Sequence, residues 1–269
     1  MKSMRLFVFG VLTLTMLGCD SNNSNVLIAY VYQHEYLGSE GNDFDYDGIV
    51  MGDPLPFIES VTAKNITGVE DLFVFQNSFD FDFASEASFG DGDIAIKTTE
   101  GTITGTVDQP TMYDSVKAST TDYYIPLNTA LTLTTYGGNS DFKYISAELE
   151  YYDGESWYYV EIDSAFEGNT FTFPASMLDT ESYLYIYGID CANGPIAKAG
   201  ASGNMGGDGT GFMWHIVSDD TFYMSFAVGI EAGSNVKKSS SHVQERRTRE
   251  DRKRRFQEKT TKILNTSAM

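Results

Sequence analysis

The sequence from Lys143 to Asp163 alternates apolar and polar residues on both sides of an Asp-Gly pair. Alternation of this kind places every second side chain on the same face of a strand. The Asp-Gly pair favours the two-residue type I′ turn of a β-hairpin. A two-residue loop would pair Glu148 with Tyr159 and Glu150 with Trp157. The segment therefore predicts a hairpin with one apolar face and one face of aromatic and acidic side chains.

The rest of the chain has the same β character. Aromatic residues make up 14% of the 269 residues and charged residues only 21%. Tyr, Phe, Thr and Val suit half-buried pleated surfaces, and short runs of them alternate with turn residues. A chain of this length is able to form two domains, each with its own core. We expect an all-β fold of two β-sandwich domains, residues 26–108 and 109–235, with a break at Asp108-Gln109-Pro110.

The first nineteen residues differ from the body. Lys2 and Arg5 precede an apolar run over residues 6–17, which is shorter than the roughly 20 residues that span a bilayer as a helix. The run matches the apolar region of a secretory signal peptide. Met16-Leu17-Gly18-Cys19 resembles a bacterial lipobox. The resemblance implies a lipoprotein signal peptide over residues 1–19, lipidation of Cys19, and a polar tether over residues 20–25.

Lipidation of Cys19 would make the protein a membrane-anchored lipoprotein of the cell envelope, on its periplasmic or cell-surface side. The alternative is an ordinary signal peptide with a chance Cys. If Cys19 carries the lipid, Cys191 has no intramolecular disulfide partner, since the chain contains two Cys. We therefore predict that Cys191 is a small buried residue.

A second resemblance begins at Leu178 and continues through an acidic turn, Tyr183, an alternating strand and an Asn-Gly turn. This order is similar to the E–F–G region of bacterial immunoglobulin-like and fibronectin-III-like modules. The resemblance covers about residues 110–230 and implies an Ig-like second sandwich, with Tyr183 as the corner tyrosine that bonds back to the chain. It departs at Ala197–Gly211, where we expect a flexible Gly-rich loop rather than one unit of a calcium-binding repeat.

Charge is distributed unevenly along the chain. Residues 20–235 contain 34 Asp and Glu against five Lys, whereas residues 236–269 contain 11 Lys and Arg against four Asp and Glu. An acidic body repels nucleic acid, so no nucleic-acid partner is expected for it. The basic tail, 236–269, is predicted to be disordered or helical. It either binds an anionic polymer, folds onto the acidic body, or results from a shifted reading frame.

Four carboxylates form a candidate calcium site. Asp43, Asp45 and Asp47 alternate before Gly48, like the first half of a calcium loop, and Asp53 follows as a further ligand. No bidentate Glu and no helical pattern accompany them, so an EF-hand is excluded. The segment is either a calcium loop in a β context or an acidic hairpin turn. No other cofactor is expected.

The sequence lacks the usual catalytic patterns. There are three His, and no zinc-binding HExxH, nucleophile elbow or phosphate-binding loop. Trp157 and Tyr159 share a predicted strand face with Glu148 and Glu150, an arrangement that could hold a sugar; the alternative is that this face is covered or carries ordinary surface aromatics. We predict a non-catalytic binding or adhesion module that recognises a glycan or protein. The alternatives are a structural component of an envelope assembly docked through the tail, and a periplasmic hydrolase.

Overall fold

A computed structural model describes residues 26–38, 41–152, 155–196, 201–230, 254 and 256–258. The signal peptide, Cys19, the tether and most of the basic tail lie outside the described residues. No helix in the described ranges is long and apolar enough to cross a membrane. The strands are β1 Val26–Gly38, β2 Gly41–Asp53, β3 Ile58–Phe75, β4 Ser78–Thr98, β5 Gly101–Val107, β6 Ser115–Ala118, β7 Tyr124–Ile125, β8 Leu131–Tyr136, β9 Phe142–Tyr152, β10 Trp157–Phe166, β11 Thr170–Phe173, β12 Ser182–Asn193, β13 Met205–Gly207, β14 Thr210–Asp219 and β15 Met224–Val228. The all-β prediction is confirmed.

The N-terminal strands close into a ring. β1 pairs antiparallel with β2 and parallel with β14, and the order β2, β4, β5, β13, β14 completes the circuit. Odd-numbered side chains of β1, from Leu27 to Val31, point into the ring, because successive strand residues face opposite sides. The interior core also contains buried side chains from the other strands of the ring, among them Tyr46, Val50, Phe79, Phe81, Ile94, Ile96, Ile103 and Met213.

A second core lies between two layers of strands. One layer is the three-stranded sheet β11-β8-β6, and the other is formed by β9, β12 and β15 of the large sheet. Leu131, Leu133 and Phe173 of the first layer contact Ile145, Leu184 and Ile186 of the second. Within each strand these buried apolar residues are at every second position and therefore face the opposite layer. The two layers pack through these faces to form one core.

The large sheet runs across residue 108, where a domain boundary was expected. β13 and β14 belong by sequence to the second expected domain, yet β13 pairs with β5 and β14 pairs with β1. β14 also pairs with β12. The two halves of the chain therefore share one hydrogen-bonded sheet.

The hairpin β9–β10 forms, but its predicted register is wrong by two residues. Tyr152 pairs with Trp157, so four residues separate the last paired positions instead of two. Asp153 and Gly154 lie outside the described residues. Tyr159 consequently faces Glu150 rather than Glu148. A shift of two residues leaves every side chain on its predicted face, because the side-chain period of a strand is two.

Part of the Gly-rich segment is strand rather than loop, while residues 201–204 and 208–209 lie outside any strand. Met205–Gly207 is a strand, and Gly211 lies in β14 beside β1. A Cβ at Gly211 would lie 2.5 Å from the carbonyl oxygen of Ala29, so only glycine permits this close approach. Asp208 accepts a hydrogen bond from the backbone N–H of Thr102 at 2.9 Å. The glycines thus allow close strand packing, and Asp208 caps the β4–β5 turn.

Tyr183 occupies the start of β12, as the resemblance to Ig-like modules implies. Its ring stacks on Tyr185, with centroids 6.3 Å apart. The structure gives no hydrogen bond from the Tyr183 hydroxyl to any described residue. The corner bond expected from the resemblance is therefore not formed within the described part of the chain.

Candidate functional site

The outer face of β10, β9 and β12 joins aromatic rings and carboxylates in rows. Tyr159, Glu150 and Tyr183 are direct cross-strand neighbours, and Glu161, Glu148 and Tyr185 form the next row. Directly opposed side chains in antiparallel strands have Cβ atoms about 5 Å apart. We call this surface the tyrosine–carboxylate face, and its members are Glu148, Glu150, Trp157, Tyr159, Glu161, Tyr183 and Tyr185.

Glu150 is the central carboxylate of this face. Its side chain is 4% exposed, and its Oε2 accepts a hydrogen bond from the Tyr185 hydroxyl at 3.3 Å. Its Oε1 is buried without a partner among the described residues. Burial of an ionised carboxylate requires compensation by hydrogen-bond donors. Glu150 therefore retains capacity for one further donor.

The aromatic members present rings at several depths. Tyr159 is 53% exposed, whereas Trp157 is partly buried and its ring lies 5.2 Å from that of Tyr152. Burial raises the pKa of Tyr185 and of Tyr183, and the negative charge of Glu150 raises both further. The hydroxyls are thus neutral hydrogen-bond donors at physiological pH.

The sequence predicted the strand face that carries this surface, but it identified only some of the residues on it. Trp157, Tyr159, Glu148 and Glu150 share one face, as predicted. Tyr183 and Tyr185 were missed as members, because β12 joins β9 only through the tertiary fold. The alternation of Tyr at positions 183, 185 and 187 was the available signal, since it places those rings on one side of a strand.

The predicted calcium residues lie in a strand rather than a loop, so the loop interpretation is wrong. Asp43, Asp45 and Asp47 alternate along β2 and face Tyr36, His34 and Tyr32 of β1, in that order. Asp53 pairs with Val26 at the far end of β2, about 20 Å from Asp47 at 3.4 Å per residue. Asp53 therefore cannot share a cation with the other three.

β4 supplies a different third carboxylate. Asp80 pairs with Asp47, and ligand atoms of Asp45, Asp47 and Asp80 all lie within 4.8 Å of one another. Asp47 also accepts a hydrogen bond from Gln257 of the tail at 3.2 Å. Convergence of three carboxylates is compatible with a hard cation, which oxygen ligands bind.

Calcium binding remains a prediction, with Asp45, Asp47 and Asp80 as the converging carboxylates instead of the four predicted from the sequence. Titration of the full-length protein with calcium should produce heat in a calorimeter and raise the melting temperature. Asp80→Asn should weaken binding by about tenfold, because it removes one of three charges around the ion. Asp53→Asn is the matched control and should bind like the wild type. Absence of heat, together with an unchanged melting temperature, would reject calcium binding.

His215 and Gln33 form a buried polar pair inside the strand ring. They are direct neighbours on β14 and β1, and both are fully buried. Gln33 donates from Nε2 to the carbonyl oxygen of Gly90 at 3.1 Å, but its Oε1 and both ring nitrogens of His215 have no partner among the described residues. Burial lowers the pKa of His215 to about 3, although nearby Asp91 acts in the opposite direction. The ring is therefore neutral at physiological pH.

Phe256 of the basic tail packs on an aromatic surface outside the strand ring. This surface consists of even-numbered residues of β1 and β14 with two residues of β9, and its rings belong to Tyr30, Tyr32, Phe142, Tyr144, Phe212 and Trp214. Phe256 is 5% exposed. Its ring centroid lies 5.0 Å from that of Tyr144 and 6.2 Å from that of Trp214. Residues 254 and 256–258 are helical, so part of the tail folds onto the acidic body, as one of the sequence interpretations held.

We expect Phe256→Ala to release this part of the tail. Burial of a Phe side chain contributes about 2 kcal/mol, so the released state should become roughly 30-fold more populated. Trypsin cleavage at the tail arginines should accelerate accordingly, as followed by mass spectrometry. Phe73→Ala, at a side chain that is 57% exposed, is the control and should leave cleavage unchanged. Equal cleavage of the wild type and Phe256→Ala would contradict the prediction.

Cys191 is a free, fully buried residue, as predicted. Burial raises the pKa of its thiol, and contacts with Tyr113, Lys143 and Ser140 offset part of the rise. A buried thiol with a raised pKa is a poor nucleophile. Its role is therefore packing.

Comparisons with known proteins give no further guide to this surface. No protein-family model matches the chain, and no curated protein matches it. The site is therefore interpreted from its own geometry.

Proposed function

We propose that the protein is a lipid-anchored, non-catalytic binding or adhesion module of the cell envelope that recognises a glycan through the tyrosine–carboxylate face. The observation that carries the proposal is the row Tyr159, Glu150, Tyr183 on adjacent strands. An exposed aromatic ring offers an apolar surface to the C–H face of a sugar, with a polar hydroxyl at its edge. The exposed carboxylate of Glu161 in the neighbouring row accepts hydrogen bonds from sugar hydroxyls, and the buried carboxylate of Glu150 holds the Tyr185 hydroxyl in place.

The spread of these groups over three paired strands supports an extended ligand. The rows across β10, β9 and β12 contain both rings and carboxylates, so a chain of sugars lying across these strands would meet both kinds of group. Glu150 has one oxygen held by Tyr185, which fixes the carboxylate in position. Preorganised polar groups between aromatic anchors are typical of binding surfaces. A lipid on Cys19 would hold this face at the cell envelope.

A glycan array probed with the full-length protein tests the proposal. We expect binding to a defined set of glycans, with Tyr159→Ala and Glu161→Gln each weakening it by about tenfold, because aromatic and hydrogen-bonding groups at the contact dominate such surfaces. Tyr123→Ala is the matched control, since Tyr123 is an exposed tyrosine on the segment leading to β7. A blank array, or binding that neither substitution weakens, would count against glycan recognition. Capture of a specific envelope protein would then favour a protein ligand.

A structural role in an envelope assembly, docked through the basic tail, is the second candidate. Arg254 favours it, because this basic side chain stays exposed while Phe256 holds the same tail segment on the body. Deletion of residues 236–269 should then change the localisation of the protein or the set of proteins that co-purify with it. Unchanged localisation and partners would eliminate this candidate.

A further inference from the structure

Four apolar side chains on segments that meet near the start of β1 are exposed. Val26 is 44% exposed, Leu55 50%, Phe57 53% and Phe75 74%. We call this group the end patch. Phe75 is the most exposed of the exposed large apolar side chains in the described part of the chain. Most large apolar side chains in these strands lie in the two cores or in the aromatic surface around Trp214. A group this exposed is typical of a surface that contacts a partner or a membrane.

The chain brings these four residues together from three segments. Val26 begins β1 and pairs with Asp53, the residue before Pro54-Leu55. The turn between β3 and β4 reaches the same place, because the backbone N–H of Ile58 donates to the carbonyl oxygen of Gln76 at 2.8 Å. Phe57 and Phe75 are the chain neighbours of these two hydrogen-bonded residues. The end patch therefore surrounds the point where β1 begins.

The same end carries the connection to the expected lipid. Seven residue steps separate Cys19 from Val26, and a fully extended chain advances at most about 3.6 Å per step. The start of β1 can therefore lie no more than about 25 Å from a lipidated Cys19. A lipid at Cys19 keeps the end patch near the membrane surface in every conformation of residues 20–25.

We infer that the end patch is a membrane-contact surface that inserts into the headgroup region of the bilayer beside the lipid anchor. The inference rests on the proposed lipid anchoring. Apolar and aromatic side chains enter the boundary between headgroups and acyl chains to a depth of about 5–10 Å. Asp53 and Glu59 are exposed beside the patch, and the acidic body repels anionic lipid. The lipid surface that fits is therefore zwitterionic.

Quenching by brominated lipid tests this inference. Full-length lipidated protein carrying Phe75→Trp is reconstituted in phosphatidylcholine vesicles with and without dibrominated acyl chains. Trp at position 75 should lose about half of its fluorescence, because a side chain inserted to this depth meets the bromine atoms. Tyr123→Trp is the matched control for an exposed aromatic position elsewhere, and its added fluorescence should be unaffected. The signal of the native Trp157 and Trp214 is subtracted with the wild-type protein.

A second variant separates insertion from anchoring. Leu55→Asp in the Phe75→Trp background should abolish the quenching while the protein still floats with the vesicles. Flotation of the Phe75→Trp protein with Leu55 intact, but without quenching at position 75, would overturn the end patch as a membrane contact and leave the anchor intact. A protein whose intact mass shows no lipid, and which does not float, would overturn the anchor and this inference with it. Stronger quenching in phosphatidylglycerol vesicles would overturn the assignment to zwitterionic lipid.

Discussion

Acidification from pH 7.5 to pH 5 should lower the free energy of unfolding by about 2 kcal/mol through His215 alone. Burial holds the pKa of the folded-state ring near 3, whereas the ring in the unfolded chain titrates near its ordinary pKa of about 6.5. As the pH falls, the unfolded state therefore takes up the proton first. The stability that depends on neutral His215 is complete above about pH 6.5 and is lost progressively between pH 6.5 and pH 3.

His215→Leu removes the titrating group. It should unfold at a similar or higher urea concentration than the wild type at pH 7.5, because it also removes two buried nitrogens that have no partner in the described structure. At pH 5 its advantage over the wild type should grow by about 2 kcal/mol. Circular dichroism during urea unfolding at both pH values measures the difference.

Tyr46→Phe is the matched control for the His215 experiment. The Tyr46 hydroxyl is also buried without a described partner, and burial raises its pKa far above this pH range. Its removal should change stability equally at pH 7.5 and pH 5. If the wild type and His215→Leu lose the same stability on acidification, the neutral buried state of His215 is contradicted.

Trp214→Ala should destabilise the protein by about 4 kcal/mol, within the range for removal of a buried aromatic side chain. Trp214 is fully buried and stacks on Tyr32 with ring centroids 5.0 Å apart. Its Nε1 donates to the carbonyl oxygen of Pro195 at 2.7 Å. The substitution leaves a cavity at the strand pairing that joins the two halves of the chain, and it leaves that carbonyl without its donor.

The chain supplies a matched control in its second tryptophan. Trp157 is only partly buried on the tyrosine–carboxylate face, so Trp157→Ala should cost less than about 1 kcal/mol. Far-ultraviolet circular dichroism reports unfolding in both variants without relying on tryptophan fluorescence. Similar losses for the two substitutions would mean that the aromatic surface around Trp214 does not support the fold as described.

The Trp214→Ala substitution should also weaken the packing of the tail residue Phe256. Phe256 contacts the Trp214 ring, so the two side chains are coupled, and their effects should be less than additive in the double variant. The basic tail is thus held by the same aromatic surface that joins β1 to β14.

At the candidate site, the local sequence pattern predicted which residues share a strand face, but it did not predict their partners on neighbouring strands. Alternation placed Trp157, Tyr159, Glu148 and Glu150 on one face, because the direction of a side chain depends on the strand period and on nothing distant. The partner of each residue depended on loop length, and the structure pairs Glu150 with Tyr159 instead of Trp157. The neighbouring strand with Tyr183 and Tyr185 reaches β9 only through the fold.

The acidic residues of β2 show a case in which the local pattern did not decide the structure. The spacing of Asp43, Asp45 and Asp47 resembles a calcium loop, but the same spacing also suits one face of a strand, and sequence alone does not choose between them. Pairing with β1 decides for the strand. The pairing of β2 with β4 brings Asp80 to Asp47, a neighbour that no spacing rule along a single segment predicts. Asp53 lies at the far end of β2.

Local sequence patterns were sufficient to predict an all-β chain and the residues that share strand faces, and they show an acidic body followed by a basic tail. These properties are local, because the strand period and charge are carried by neighbouring residues. The tertiary structure alone decided that β14 returns to β1, that His215 is buried beside Gln33, and that Phe256 lies against Trp214. Those contacts join residues far apart in the chain, and their energies depend on burial that exists only once the strands have assembled.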